Sequence, residues 1–121
     1  KGKYVAPSPI EMKLSVNKNL EQVCVVGDSI PQPIALIVLS EQGKAQLKED
    51  LINSLRTTLD IVNSKIQQHE SLNKIIVLDE VWTVENKLLT PTMKIKRNVI
   101  ENKFKEFYQE WYDKEEFIIF N

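Results

Sequence analysis

The chain has 121 residues, 42% of them hydrophobic and 27% charged, with a formal net charge of -1. That length suits one core of ordinary size and not two, the composition argues against long disorder, and the near-neutral charge excludes a whole-molecule attraction to nucleic acid. Cys24 is the single cysteine and His69 the single histidine, which excludes an internal disulfide, argues against a metal site of ordinary ligand count and suits a reducing, cytoplasmic setting.

In chain order, the opening "KGKYVAP" lacks an initiator methionine and reads as the start of a piece of a longer chain. "IEMKLSV" (10–16) follows Pro7 and Pro9 and spaces Ile10 and Leu14 four apart, which predicts a short helix. Two β-rich runs come next, "QVCVVGD" (22–28) and "PIALIVLS" (33–40), joined by turn residues and expected to pair antiparallel. Over 44–72, Leu47, Leu51, Leu55, Leu59, Val62 and Ile66 mark one helical face, with any break expected near Asp60 or Asn63. "KIIVLD" (74–79) is a buried-strand pattern and "VWTV" (81–84) a second candidate strand. A last helix starts near Arg97 or Asn98 and turns Ile100, Phe104, Phe107, Tyr108 and Trp111 inward. The tail "DKEEFIIFN" (113–121) leaves that pattern; its apolar end suits either an edge strand or packing on another chain. The fold class that follows is α+β, a small mixed or antiparallel sheet with a hairpin, flanked by helices. The longest apolar run, "PIALIVL", is too short to span a bilayer, and no signal-peptide pattern opens the chain.

The chemistry concentrates in "LLTPTMKIKRNVI" (88–100). Pro91 restricts Thr90 and fixes its own φ, so the segment reads as a stiffened, extended lead into a helix that delivers Lys94 with little slack. A lysine so held suits phosphate or carboxylate oxygens in another domain. The same residues also suit a solvated helix start, at a small cost against the helix dipole.

Three ordered segments, "KGKYVAPSPIE", "VCVVGDSIPQPIALIV" and "VWTVENKLLTPTMKIKR", resemble the carboxy-terminal domain of AMP-forming acyl-CoA synthetases, especially the long-chain fatty acid type. The resemblance covers about 2–112 of a single 1–121 domain, with 113–121 as an extra tail. It implies a mobile lid domain working over an absent amino-terminal adenylating domain. The implied reaction is a fatty acid plus ATP giving acyl-adenylate and pyrophosphate, after which coenzyme A displaces AMP. Lys94 matches the family lysine that enters the active site during adenylation. Gly2, Lys3 and Tyr4 match the face lining the coenzyme A tunnel, where a glycine admits close approach. ATP, coenzyme A and Mg2+ are implied for the whole enzyme and none for the isolated domain; the resemblance also leaves room for peripheral membrane association of the parent.

The chain departs from the family pattern at Lys87, where Asn86 is commonly followed by glycine, at Pro9, often acidic, and at Ile30, often basic. Lys96 and Arg97 suit nucleotide phosphates or a solvated helix start, the second being the expectation. Cys24 reads as a buried small hydrophobe, His69 as surface, and Trp82, Phe104 and Trp111 as core. The rival readings are a stand-alone α+β interaction module and a nucleic-acid binder using "KIKR"; neither accounts for the three ordered segments.

Overall fold

A computed structural model describes residues 5–121. Helix α1 (Pro7–Leu14) starts on a proline, whose fixed φ is already helical and whose missing N–H would have no partner there, and it buries Ile10 and Leu14. Strands β1 (Leu20–Val26) and β2 (Ile34–Leu39) pair antiparallel, with Val23 opposite Ile37 and a register shift between Leu20 and Gln22. A helical turn α2 (Glu41–Lys44), capped by the Ser40 hydroxyl, precedes the long helix α3 (Lys48–Ser64). Strand β3 (Ile75–Leu78), helices α4 (Arg97–Phe104) and α5 (Tyr108–Asp113), and strand β4 (Ile118–Phe120) complete the order.

The sheet order is β1-β2-β3-β4, with β3 parallel to β2 and β4 parallel to β3. The sheet is therefore mixed and the fold α+β, as expected. Strand alternation divides the interior into two cores. Val23, Val25, Ala35, Ile37, Ile75 and Val77 face α1 and α3. Cys24, Val26, Leu36, Val38, Ile76 and Leu78 face α4, α5 and Trp82. Burial on both faces explains why β2 and β3 read as unbroken apolar runs. The connections β2 to β3 and β3 to β4 advance in one direction on opposite faces, so they have opposite hands and one is of the rare left-handed kind.

Several expectations are corrected. Residues 81–84 form no strand, because the Trp82 backbone is satisfied by the Gln22 side chain instead of a ladder. Helix α3 runs through Asp60 and ends at Ser64, one residue past Asn63, before a separate 3-10 turn (Gln68–Glu70); the pattern is interrupted before it as well, where Leu47, at its N-cap, is exposed. The last helix is divided by a 3-10 turn (Lys105–Phe107), which rotates Phe107 to 37% exposure while Ile100, Phe104, Tyr108 and Trp111 stay buried. The tail takes the edge-strand course, burying Ile118 and Ile119.

Candidate functional site

Residues 79–96 connect β3 to α4 without a strand or helix, yet side chains and turns hold their backbone at three successive places. The first is Trp82. Its N–H donates to Gln22 Oε1 and its carbonyl accepts from Gln22 Nε2, both at 2.8 Å, so one amide side chain on β1 does the work of a strand partner. Its indole is buried against Ile76, Leu78 and α4.

The second fixture is Asn86. Its Oδ1 accepts from the N–H of Thr83 at 2.9 Å and of Leu88 at 3.2 Å, its Nδ2 donates to the Val81 carbonyl, and its own N–H donates to Thr83 Oγ1. Lys87 then takes φ 69°, the left-handed conformation that a glycine at this place would adopt without steric cost. Lys87→Gly should therefore stabilise the domain by about 0.5 to 1 kcal/mol, the left-handed cost partly offset by the added freedom of the unfolded chain. A urea midpoint that rises at constant slope is the expected result; a midpoint that falls would show that Lys87 contributes something beyond its backbone.

The third fixture is a small hairpin. Leu89 and Ile95 form an antiparallel bridge, flanked by Lys96 N–H to the Leu88 carbonyl at 2.9 Å and Thr90 N–H to the Lys94 carbonyl at 2.7 Å. Met93 N–H closes the turn on the Thr90 carbonyl at 2.8 Å, with Pro91 at the second turn position, which suits its fixed φ, and Met93 left-handed at φ 69°. The segment is stiff, as the sequence implies, but folded back rather than extended. Its reversal depends on a left-handed Met93, at a position where no glycine announces it.

Lys94 is the first residue after this turn. Its N–H donates to Thr90 Oγ1 at 3.1 Å, and that hydroxyl lies 3.1 Å from Thr92 Oγ1. The Lys94 side chain is exposed and makes no ion pair among the described residues. A firmly held backbone thus presents a free ammonium on a flexible stem.

The neighbouring basic residues have other fates. Lys96 is half-buried, and Arg97 is no solvated helix start: its guanidinium forms a two-pronged ion pair with Glu11 of α1, Nη2 donating to Oε1 at 3.2 Å and Nη1 to Oε2. Burial opposes the Arg97 charge, but the hydrogen bonds and charge of Glu11 outweigh it and raise the guanidinium pKa. "KIKR" is therefore not a row of aligned cations. Sequence reasoning missed Glu11 and Gln22; neither is marked by a local pattern, since their partners lie 86 and 60 positions away.

Cys24 is buried and its thiol is pushed up to about 12 by burial, against the lowering influence of Arg97, so it is an inert core group. His69 sits half-buried in a 3-10 turn (Gln68–Glu70) before β3. Gly2, Lys3 and Tyr4, expected at a coenzyme A tunnel, lie outside the described residues. Among the described residues no group of three His, Cys, Asp or Glu side chains is placed to hold a metal ion, so none is assigned to Mg2+.

The family model for the AMP-binding enzyme C-terminal domain matches residues 1–116. The chain belongs to that family. Among its relatives, the long-chain-fatty-acid–CoA ligase FadD15 of Mycobacterium tuberculosis is 30% identical over 131 aligned positions, covering 94% of this C-terminal domain and 22% of the ligase. A chloroplastic long-chain-fatty-acid–acyl-carrier-protein ligase of Arabidopsis thaliana is 28% identical, covering 92% of this domain and 16% of that protein. The A-PCP didomain of the carboxylic acid reductase from Segniliparus rugosus, solved with AMP, superposes with a TM-score of 0.76 at 22% identity, over 92% of this chain and 16% of that one, and bears out the fold. The domain thus spans about a fifth of the length of the curated relatives it matches.

Proposed function

We propose that this domain is the mobile carboxy-terminal part of an AMP-forming long-chain fatty acid–CoA ligase and that Lys94 is its catalytic residue. The observation that carries the reading is an exposed Lys94, without an ion pair among the described residues, on a hairpin whose backbone is locked by its own hydrogen bonds. In the first step the fatty-acid carboxylate attacks the α-phosphorus of ATP and pyrophosphate leaves. Negative charge then spreads over the α-phosphate oxygens, and an ammonium placed between them and the carboxylate stabilises that transition state electrostatically, without transferring a proton. In the second step the thiol sulfur of coenzyme A attacks the acyl carbonyl and AMP leaves. The domain presents the Lys94 face for the first step and turns the segment containing Gly2, Lys3 and Tyr4 toward the thiol for the second.

The partner of this domain is then an amino-terminal adenylating domain, which supplies the nucleotide and fatty-acid pockets and holds the Mg2+ that accompanies ATP. We place the enzyme in the cytoplasm, in keeping with its buried, unpaired Cys24. Peripheral membrane association of the parent belongs to the same reading; among the described residues no helix is long and apolar enough to cross a membrane.

The test is ATP–pyrophosphate exchange by the full-length protein that contains this domain. Exchange should require a long-chain fatty acid, and added coenzyme A should release AMP and form the thioester. The isolated 121-residue domain should show no exchange, because on this reading the nucleotide pocket belongs to the amino-terminal domain. Exchange that no fatty acid supports would sink the reading, while AMP release with acyl carrier protein in place of coenzyme A would reassign the thiol acceptor.

A further inference from the structure

We propose that Glu11 and Arg97 are positioning residues for Lys94, a clamp that ties the catalytic hairpin to α1 and to the open edge of β1. For its catalytic consequence this rests on the adenylation role of Lys94; for its structural consequence it rests on geometry alone.

The second leg of the hairpin has no slack. Lys94 and Arg97 are three residues apart, Lys96 between them donates its N–H across the hairpin to the Leu88 carbonyl, and Arg97 is the first residue of α4. The Arg97 guanidinium meets both oxygens of Glu11 and also donates to the Val25 carbonyl at 3.1 Å. Glu11 Oε2 in turn accepts the Val25 N–H at 2.7 Å. Two side chains thus take both backbone groups that β1 turns away from β2 at Val25.

A solvated surface pair would hold nothing in place. This one is partly buried and two-pronged, and each partner has a further backbone bond, which is the arrangement in which an ion pair specifies a position. The other end of the loop is already held by Gln22 at Trp82. With one end held, the hairpin would pivot; with both held, the Lys94 backbone has one place. The long lysine stem makes that placement matter, because a displacement of about 1 Å in a catalytic group can cost about 100-fold in rate.

The experiment uses Glu11→Gln in the full-length enzyme, which keeps the side-chain shape and removes the charge. Amide hydrogen exchange at Thr90, Met93 and Lys94 should accelerate about tenfold or more while the β2 and β3 amides stay as in wild type. Adenylation kcat should fall about tenfold or more with the KM values for ATP and fatty acid within about twofold, and conversion of pre-made acyl-adenylate to thioester should be retained. In a Lys94→Ala background, Glu11→Gln should cause no further loss, an outcome that a merely stabilising pair would not produce. Arg97→Lys, which keeps the charge and loses the fork, should show the same pattern at smaller size and serves if Glu11→Gln folds poorly. Hairpin amides that exchange at the wild-type rate in both variants, or losses that add to that of Lys94→Ala, would overturn the clamp. Accelerated hairpin exchange with unchanged adenylation would overturn the positioning role where Lys94→Ala alone abolishes adenylation, and the role of Lys94 where it does not.

Discussion

Lys94→Ala in the full-length enzyme should slow fatty-acid adenylation by about 10²- to 10³-fold, the loss typical of removing one preorganised group that acts on developing negative charge. The side chain is exposed and makes no ion pair among the described residues, so its removal should leave the melting temperature unchanged. The backbone arrangement around it, the Thr90 hydroxyl on the Lys94 N–H and the turn closed by Met93, does not depend on the side chain and should persist. Lys94→Arg should recover only part of the rate, because a wide planar guanidinium cannot stand where a compact ammonium fits between two oxygens. Thioester formation from pre-made acyl-adenylate should survive if, as proposed above, the domain then presents its other face. The two half-reactions assayed on one mutant protein decide the matter: equal losses would mean that the lysine is structural.

The second large effect concerns stability and a glycine with no catalytic part. Gly43 lies in α2, and a Cβ added there would sit 2.3 Å from the Asn19 carbonyl oxygen and 3.1 Å from its carbonyl carbon. Both are backbone atoms, and they cannot yield easily. The Asn19 carbonyl accepts the Ser40 N–H at 2.8 Å, the Ser40 hydroxyl donates to the Lys18 carbonyl, and the Asn19 side chain donates to Ser54 on α3. Gly43→Ala should therefore force α2 away from the start of β1 and destabilise the domain by about 2 to 3 kcal/mol, a melting shift of about 10 °C. Helix propensity alone predicts the opposite sign, a gain of about 1 kcal/mol. Gly27→Ala is the graded control. Its Cβ would meet Pro33 Cα at 3.2 Å, a contact that needs only a few tenths of an ångström of relief, and its cost should be clearly smaller. If the two variants melted alike, the close approach of α2 to Asn19 would not be the reason for Gly43.

The sequence by itself determined the elements whose apolar residues recur at short, regular intervals. Leu51, Leu55, Leu59 and Val62 on α3, the runs of β2 and β3, and the start of α4 at Arg97 were legible because helix and strand periods are local properties. The stiffness of the segment that leads to Lys94 was legible too, through Pro91. What only the tertiary structure decided depends on residues distant in the chain. Residues 81–84 have the composition of a strand, yet Gln22 takes both backbone groups of Trp82, and no local pattern records that competition. The tail could add an edge strand or pack on another chain; β3 offered it an edge with matching apolar neighbours on both faces. Arg97 looked like a solvated cation beside Lys94, but Glu11 meets it from the other end of the chain and binds it in place. That two lysines stand close to Arg97 in a basic run is a sequence fact; which of the three charges is paired is not, because a charge is paired according to what the fold brings within about 4 Å of it.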